Sequence, residues 1–380
     1  MKILFINQYS NGLNHPGHKR HIYLVNELNK KNLSADLLTS NMSYIDGRRL
    51  NYQSDKNIKI VPSHFKNTGR ISKVLSYFEF TIRVLLTFNF KNYDVIYCSS
   101  PNIISAFILR LKAKIQRKRF FLEIRDIWPL SLVELGVINN NGLVHKILRS
   151  IESNLLRYSE GIIYTMPNFS KYLIDHGLDS KKNMYLPQIT DTFNDNITSK
   201  RGYIYIGSSK DNDKIIETIT TFNSFNSRFK YVYKLDIFID GENKENIRKF
   251  LDMHDYKNIS LQNFISDRES LCKKISEYKY GITNFENLDL YKYGISFNKI
   301  IDYISGNTIP IIPYIEGCDE SIKSICIYST SYDDPFLDCL LKSVAISSSD
   351  YEKMCIRCKN IKSKFNVSMH ISELLNFMKA

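Results

Sequence analysis

The chain has 380 residues, of which 43% are hydrophobic and 24% are charged, and this composition excludes a disordered protein. A single hydrophobic core seldom extends over a chain of this length, so we expect two domains. The formal net charge of +13 at pH 7 predicts anionic partners, such as nucleic acid, an anionic membrane or phosphorylated small molecules.

The N-terminal sequence MKILFIN is typical of a short strand and not of a signal peptide. The most apolar helical stretch, residues 71–90, is interrupted by Lys73, Glu79 and Arg83, which argues against a membrane span. The seven cysteines are an odd number, and CIRC at 355–358 has no second pair or nearby histidine to complete a metal site. We therefore expect free thiols in a reducing compartment, in a cytoplasmic protein that is soluble or peripheral on the inner face of the cell membrane.

In the first half of the chain, short β-rich runs alternate with helical patterns. The strand patterns cover residues 2–7, 35–40, 58–62, 93–98, 119–124 and 161–165. Amphipathic patterns such as KRHIYLVNELNKK and NIISAFILRLKAKIQ lie between them. Near-continuous apolar strands separated by helices are typical of a parallel sheet that is covered on both faces.

The alternation stops at a polar stretch that contains Pro and Asn, and it then resumes. The second set of strand patterns covers residues 202–207, 233–241, 258–264, 279–285 and 308–313. The predicted helices in this half cover residues 213–226, 243–254, 267–277, 296–305, 349–364 and 368–379. We therefore predict an α/β fold of two Rossmann-like, doubly wound parallel-sheet domains that face each other across a cleft.

The predicted domain boundaries follow this alternation. The N-terminal domain covers residues 1–187, a linker covers 188–201, and the C-terminal domain covers 202–364. The C-terminal helix, residues 365–380, is expected to pack back on the N-terminal domain. Because ligands of such sheets bind outside the carboxyl ends of the strands, the loops that follow strands are the places to look for chemistry.

The first such loop, residues 7–21, opens a helix among basic residues. It lacks the GxGxxG spacing of a dinucleotide site, which argues against NAD or FAD. Gly17 would let a ligand approach the backbone, and His18 lies where a helix N-terminus attracts an anion. A surface loop without a ligand is the alternative.

Arg125 and Asp126 follow directly after a predicted buried strand, and Trp128 comes next. Charges at a strand end are costly to bury unless they meet each other or a ligand. Both a ligand site and a structural ion pair that holds the loop are compatible with this pattern.

In the second half, strand 202–207 ends in Gly207 and is followed by a polar loop with Lys210 and Lys214. Amine side chains beside a helix N-terminus suit a diphosphate. Lysines that are simply solvated on a surface loop are the alternative.

A helix that starts near Ser296 places Asn298 and Asp302 one turn apart, with Lys299 between them. Lysine can meet phosphate oxygens as a point charge, and aspartate can accept from two vicinal hydroxyls such as those of a ribose. A Lys–Asp pair within the helix would contribute only about 0.2–0.5 kcal/mol. We favour a ligand site here.

Several blocks resemble a known family. LDIFIDGENKENIRKFL…NISLQNFISDRESL and YGISFNKIIDYISGNTIPII resemble glycosyltransferase family 4. HPGHKRHIYLVNEL and FFLEIRDIWPLSLVELG resemble more narrowly the members that build bacterial O-antigen and capsule repeat units, among them the WbuB-like N-acetyl-fucosamine transferases. The resemblance covers nearly the whole chain. It implies the GT-B fold and transfer of an N-acetylated or deoxy hexose from a UDP-sugar, with retention at the anomeric carbon and without a metal ion or other cofactor.

The resemblance also implies roles for nucleotide-binding residues. Asp302 stands where the family's ribose-binding glutamate stands, and Lys214, together with Lys210, stands near its phosphate-binding lysine. Phe264 and Ile265 fall in the loop that flanks the base.

For catalysis, the resemblance points to Arg125 and Asp126, which occupy the strand end where relatives carry a histidine facing the donor sugar. Lys299 would stabilise the departing nucleoside diphosphate. The chain departs from the family pattern elsewhere, because Gly294 replaces a glutamate and Ser208 stands where the diphosphate loop usually has an arginine.

The implied partners are a nucleotide-sugar donor and an acceptor sugar linked to polyprenyl diphosphate. The basic surface and stretch 71–90 would then hold the protein to the anionic inner membrane surface, although a helix that packs on a core explains the same stretch. Two other functions fit the architecture or the charge, namely a nucleotide-sugar 2-epimerase and a basic nucleic-acid-binding protein. We expect no nucleic acid partner, since the charge is diffuse and no recognition motif is present.

Overall fold

The computed structural model describes residues 1–12, 19–43, 47–51, 54, 56–65, 69–100, 102–194, 200–209, 214–229, 232–241, 243–314, 316–331 and 333–380. These residues form two compact units. Unit 1 consists of Met1–Ile189, Leu288–Ser296 and Val367–Ala380. Unit 2 consists of Thr190–Asn287 and Phe297–Asn366.

Unit 1 is built on a parallel sheet of seven strands. The strands are β1 (Lys2–Ile6), β2 (Ser34–Ser40), β3 (Ile58–Val61), β4 (Val95–Ser99), β5 (Arg119–Ile124), β6 (Gly161–Tyr164) and β7 (Asn183–Tyr185). They are ordered β3-β2-β1-β4-β5-β6-β7. The strand order reverses between β1 and β4, and the crevice outside their carboxyl ends is the usual place for a ligand in such a sheet.

Six helices of unit 1 connect these strands. They are α1 (Arg20–Lys30), α2 (Arg70–Thr87), α3 (Ile103–Ile115), α4 (Leu130–Glu134), α5 (Leu143–Tyr158) and α6 (Phe169–Asp175). Alternate residues of β1 enter two different cores. Leu4 packs with α2, α3, α5 and α6 on one face, whereas Phe5 packs with α1 on the other. The sheet is therefore covered on both faces, as the near-continuous apolar strands predict.

Helix α2 shows why the stretch 71–90 is so apolar. Tyr77, Phe80 and Val84 are buried beneath the helix. Other apolar side chains of the same helix are exposed, among them Ile82 at 51% and Leu86 at 81%. The helix therefore packs on the core and also presents an apolar stripe to solvent. Within the described ranges, no helix is both long enough and apolar enough to cross a bilayer.

Unit 2 contains a parallel sheet of five strands. They are β8 (Arg201–Ser208), β9 (Leu235–Asp240), β10 (Ile259–Gln262), β11 (Tyr278–Ile282) and β12 (Ile309–Ile311), in the order β10-β9-β8-β11-β12. Its helices are α7 (Ile215–Asn226), α8 (Lys244–His254), α9 (Arg268–Ile275), α10 (Asn298–Ser305), α11 (Glu320–Lys323), α12 (Pro335–Ala345) and α13 (Ser348–Ile361). Arg201, which we predicted to end the linker, begins β8 and pairs with Tyr278 of β11.

The strand order of unit 2 reverses between β8 and β11, and Tyr303 of α10 bridges this point. The backbone N–H of Ile206 donates to the Tyr303 hydroxyl at 3.2 Å, and that hydroxyl donates to the carbonyl of Ile282 at 2.8 Å. A Cβ at Gly281 would lie 2.3 Å from the Tyr303 ring, so glycine makes room for it. These contacts fix α10 over the carboxyl ends of β8 and β11.

The last helix, α14 (Val367–Lys379), belongs to unit 1, where Ile371 and Leu374 pack in the same core as α1. Ser296, which we expected to start a helix, ends the segment Leu288–Ser296 of unit 1, and α10 begins two residues later at Asn298. The prediction of two α/β domains with parallel sheets is confirmed. Strand β7 and helix α12 were not predicted.

Candidate functional site

Lys299 lies at the start of α10, against the carboxyl end of β8. Its ammonium group donates to the hydroxyl of Tyr205 at 3.0 Å and lies 4.7 Å from the centroid of the Tyr205 ring. Tyr205 is fully buried in β8, whereas Lys299 is partly exposed. The phenol thus holds the ammonium group in place at the reversal point of the sheet, and the lysine side chain remains partly exposed.

Gly207 keeps the space in front of this ammonium group open. A Cβ at position 207 would lie 3.6 Å from both Cε and Nζ of Lys299. The φ angle of Gly207 is +146°, a backbone conformation that favours glycine. The end of β8 therefore lets an anion approach the backbone and Lys299 together.

Lys214 lies at the N-terminus of α7, the helix that follows β8. It has a left-handed backbone, with φ at 45°, and its ammonium group lies 2.9 Å from a carboxylate oxygen of Glu217. Glu217 is 49% exposed, and exposed pairs of this kind contribute about 0–1 kcal/mol. A phosphate group could therefore replace Glu217 at little cost.

Asp302 is paired with a residue that sequence reasoning missed. Its carboxylate accepts from both terminal nitrogens of Arg268, one of them at 3.2 Å, in a bidentate pair. The side chains of Arg268 and Asp302 are 22% and 11% exposed. Since Arg268 is the first residue of α9, it could have been suspected from its position after the strand-following loop, but no spacing links it to Asp302.

The remaining candidates of unit 2 precede Arg268 or Asp302 in the chain. Phe264 and Ile265 are half-buried in the loop before α9, and Ile265 packs against the core cluster of unit 2. Asn298 is exposed at the first position of α10.

In unit 1, Arg125 and Asp126 directly follow β5, and both are half-buried. The backbone N–H of Arg125 donates to Ser100 Oγ at 2.9 Å, which joins the ends of β4 and β5. Asp126 Oδ2 accepts from the indole N–H of Trp128 at 3.0 Å.

Ser296, the last candidate of unit 1, lies in the segment Leu288–Ser296. Its Oγ accepts from the Gln188 side-chain amide at 3.1 Å.

Beside Arg125 lies a buried network that the sequence analysis did not single out. Its centre is Glu123, which is fully buried in β5. One carboxylate oxygen accepts from Arg20 Nε at 2.6 Å and from the Tyr97 hydroxyl at 2.9 Å. The other lies 2.7 Å from both His21 Nε2 and Ser99 Oγ. A glutamate among the apolar residues that end β5, as in FFLEI, was the signal for this network.

The hydrogen bonds determine the tautomer of His21. Asn7 uses its carbonyl oxygen to accept from the Tyr9 N–H at 2.8 Å, so its amide donates to His21 Nδ1 at 3.2 Å. His21 Nε2 must then carry the proton and donate to Glu123. Burial lowers the pKa of His21, although the charge of Glu123 opposes this. The imidazole is therefore neutral at pH 7.

The pKa of Glu123 is lowered as well, but for a different reason. Burial raises its pKa, but the charge of Arg20 and the contacts with His21 outweigh burial and hold the pKa well below its usual range. Glu123 is therefore ionised and fully compensated inside unit 1.

Three candidates, Gly17, His18 and Lys210, lie outside the described residues. Among the residues that are described, no group of three or more His, Cys, Asp and Glu side chains could hold a metal ion. All seven cysteines are free thiols, and every one except the half-buried Cys355 is buried.

No protein-family model and no curated protein matches the chain. Solved structures match it over its whole length. The sucrose-phosphate synthase of Thermosynechococcus elongatus matches with a TM-score of 0.73 and 12% identity, over 99% of this chain and 98% of that chain. HepE of Anabaena in complex with UDP matches with a TM-score of 0.68 and 10% identity, over 100% of both chains.

A third match is TarM of S. aureus, in a complex that contains UDP, with a TM-score of 0.67 and 11% identity over 100% of both chains. At this level of identity, structural likeness establishes the fold and leaves the function to be argued from the residues. The two α/β units of this chain have the GT-B fold of these glycosyltransferases.

Proposed function

We propose that the protein is a retaining glycosyltransferase that moves a sugar from a UDP-sugar to a lipid-linked saccharide acceptor in bacterial O-antigen or capsule synthesis. The transferred sugar is an N-acetylated or deoxy hexose. The observation that carries the proposal is the open, basic strand end of unit 2, where Lys299 lies over Gly207 on a GT-B fold. Solved structures of this fold with UDP bound support a UDP donor.

The diphosphate of the donor is proposed to bind where β8 ends. Backbone N–H groups at the N-terminus of α7 and the ammonium groups of Lys214 and Lys299 all favour an anion there. Lys210, in the loop between β8 and α7, is proposed to bind the same diphosphate. Cationic side chains take the role that a metal ion has in other transferases, so we propose no metal cofactor.

Asp302 is proposed to accept hydrogen bonds from the two ribose hydroxyls, with Phe264 and Ile265 beside the base. A carboxylate offers about four lone-pair positions, so Asp302 can keep its bidentate pair with Arg268 and still accept from a ribose. Arg268 then orients the carboxylate.

In the transfer step, the bond between the anomeric carbon and the diphosphate breaks, and negative charge develops on the leaving oxygen. The anomeric carbon forms a bond to the acceptor hydroxyl oxygen, and the proton of that hydroxyl passes to the leaving diphosphate. Lys299 and the helix N-termini are fixed before the reaction and stabilise this charge without reorganisation. Arg125 and Asp126 are proposed as the catalytic groups of unit 1, and Gly17, His18, Ser296 and Asn298 as further ligand contacts.

A lipid-linked acceptor requires access to the membrane, and the exposed stripe of α2 supports this. Val74, Phe78, Ile82 and Leu86 repeat every four residues and are 45%, 41%, 51% and 81% exposed. Lys73 lies on the same helix, and Lys91 is exposed just beyond it. Apolar side chains next to cations suit an anionic lipid surface.

Vesicle flotation tests the membrane contact. We expect the protein to float with vesicles that contain anionic phosphatidylglycerol and to float less with purely zwitterionic vesicles. Ile82→Glu should abolish flotation, whereas Met253→Glu, a control on α8 at 81% exposure, should not. Equal flotation of both variants would remove the membrane contact from the proposal.

A panel of nucleotide sugars tests the transfer itself. We expect UDP-sugars to raise the melting temperature more than GDP-sugars do, and one UDP-sugar to release UDP when a lipid-linked acceptor is added. Release of UDP from UDP-N-acetylhexosamine without any acceptor would instead indicate the 2-epimerase. Absence of binding by any nucleotide sugar would contradict the proposal.

A further inference from the structure

Unit 2 contains a second basic pocket, away from the strand ends described above. A cavity of about 310 Å³ opens beside the edge strand β10, and its volume is within the usual range of small-molecule sites. Its walls include Arg201, Tyr278, Lys234 and Asn258. The first two begin β8 and β11, and the other two immediately precede β9 and β10. The cavity is therefore at the amino-terminal edge of the sheet, opposite to Gly207.

Four cationic side chains line this cavity, namely Arg201, Lys234, Lys257 and Lys274. Arg201 and Lys274 both pair with Glu277, at 3.3 and 2.9 Å. Among the described residues, the ammonium groups of Lys234 and Lys257 have no hydrogen-bond or ion-pair partner. The positive charge of the cavity is therefore only partly compensated.

The carboxylate in the cavity wall, Asp236, pairs with Arg201 and not with Lys234 or Lys257. Asp236 accepts from the Tyr278 hydroxyl and from Ser260 Oγ, both at 2.5 Å, and Arg201 lies 3.7 Å away. Burial raises the pKa of Tyr278, and the hydrogen bond to Asp236 raises it further, so this hydroxyl remains a donor. Asp236 is thus saturated by its own neighbours.

Asn258 supplies the second observation that points to a ligand. Its Nδ2 atom is buried, has no hydrogen-bond partner in the described part of the chain, and belongs to a residue that lines the cavity. A buried donor without an acceptor costs roughly 1–3 kcal/mol. An acceptor inside the cavity would recover this cost.

We propose that this cavity binds a phosphate-bearing small molecule, with Lys234 and Lys257 as the charge partners and the Asn258 amide as a directed donor. Phosphate oxygens satisfy all three groups at once, because they accept hydrogen bonds and carry the charge that two ammonium groups require. The site is separate from the proposed donor site, since the two lie at opposite ends of the same strands.

Labelling with pyridoxal 5′-phosphate tests the proposal, because this reagent carries a phosphate and forms an imine with lysines near phosphate sites. Borohydride trapping and mass spectrometry would map the labelled residues on the full chain. We expect Lys234 and Lys257 to react at least about fivefold faster than Lys249 and Lys359, two exposed lysines of α8 and α13. Inorganic pyrophosphate at constant ionic strength should protect the first pair and not the second.

Saturating UDP separates this site from the donor site. We expect UDP to leave the protection of Lys234 and Lys257 by pyrophosphate unchanged. Asn258→Asp, which places a carboxylate in the cavity, should weaken that protection about tenfold or more, while the melting temperature reports whether the variant is folded. Equal labelling of all four lysines, or protection that Asn258→Asp does not alter, would overturn the proposal.

Discussion

Charged side chains at the carboxyl ends of the two sheets differ in burial and in the number of their partners. In unit 1, Glu123 is fully buried, and Arg20 and His21 meet it within 2.7 Å. In unit 2, Lys299 and Lys214 are partly exposed, and Gly207 leaves open space in front of one of them.

This difference indicates different roles for the buried Glu123 network and for the partly exposed lysines. A buried, saturated network holds its segments rigidly and has little capacity left for a ligand, since each carboxylate oxygen already has two partners. Arg20 also donates to the carbonyl of Leu186 at 2.9 Å, which joins the network to the residue that follows β7. Partly exposed cations, by contrast, can exchange their partners for a phosphate. We therefore interpret Glu123 as structural and Lys299 as functional.

Removing Glu123 should have the largest effect on stability. Glu123→Ala leaves the charge of Arg20 buried and uncompensated, which should lower the free energy of unfolding by about 3–5 kcal/mol. Urea titration followed by fluorescence is suitable, because the single tryptophan, Trp128, lies in unit 1. The control Glu160→Ala removes a half-exposed pair with Arg119 and should cost at most about 1 kcal/mol. If both variants lose the same free energy, the two ends do not differ as described.

Lys299→Ala should have the largest effect on activity. We expect turnover to fall about 100-fold or more, because a fixed positive charge next to the leaving diphosphate is lost. The melting temperature should hardly change, since the side chain is partly exposed. Lys273→Ala, an exposed lysine of α9, is the control and should keep full turnover. Full activity together with a large loss of stability in Lys299→Ala would show that this lysine is structural.

Arg268→Lys tests whether the pair with Asp302 orients a nucleotide. Lysine keeps the charge but cannot form the bidentate contact. We expect KM for the donor to rise about tenfold, equivalent to about 1.4 kcal/mol, with kcat nearly unchanged. Steady-state kinetics with the identified UDP-sugar would measure both constants. An unchanged KM would mean that the pair only supports the packing of α9 on α10.

The network of unit 1 should also make stability depend on pH. The pKa of His21 in the folded protein lies below its ordinary value of 6.5, so the unfolded state binds more protons as pH falls through 6.5. Stability is thus fully present above pH 6.5 and declines below it, by at most about 1.4 kcal/mol per pH unit. His21→Gln, which can still donate to Glu123, should flatten this decline between pH 6.5 and 5.5. Urea titrations of both proteins at these two pH values would measure it, and equal slopes would contradict the neutral tautomer.

Alternation of apolar strands and helices sufficed to predict both parallel sheets, because strand period and helix period depend on local sequence. The short strand β7 (Asn183–Tyr185) escaped this reasoning because its sequence NMY is not an apolar run, unlike the equally short β12 (Ile309–Ile311). The predicted start of α10 was two residues too early, because Ser296 belongs to unit 1.

Candidate residues at strand ends were found from sequence, but their partners were not. Arg268 and Asp302 are 34 residues apart, and Arg20 and Glu123 are 103 apart. Such pairs depend on tertiary packing and leave no local spacing. Helical spacing directed attention to Lys299 and Asp302, and the family resemblance added the ribose-binding role of Asp302, whereas the saturated state of Glu123 became visible only in the structure.

A crystal structure of the protein with UDP would test the central claim most directly. We predict the diphosphate within about 3 Å of the Lys299 ammonium group, in front of Gly207, and the ribose hydroxyls within hydrogen-bond distance of Asp302. UDP bound elsewhere, with Lys299 still on Tyr205 and Asp302 engaged by Arg268 alone, would contradict it.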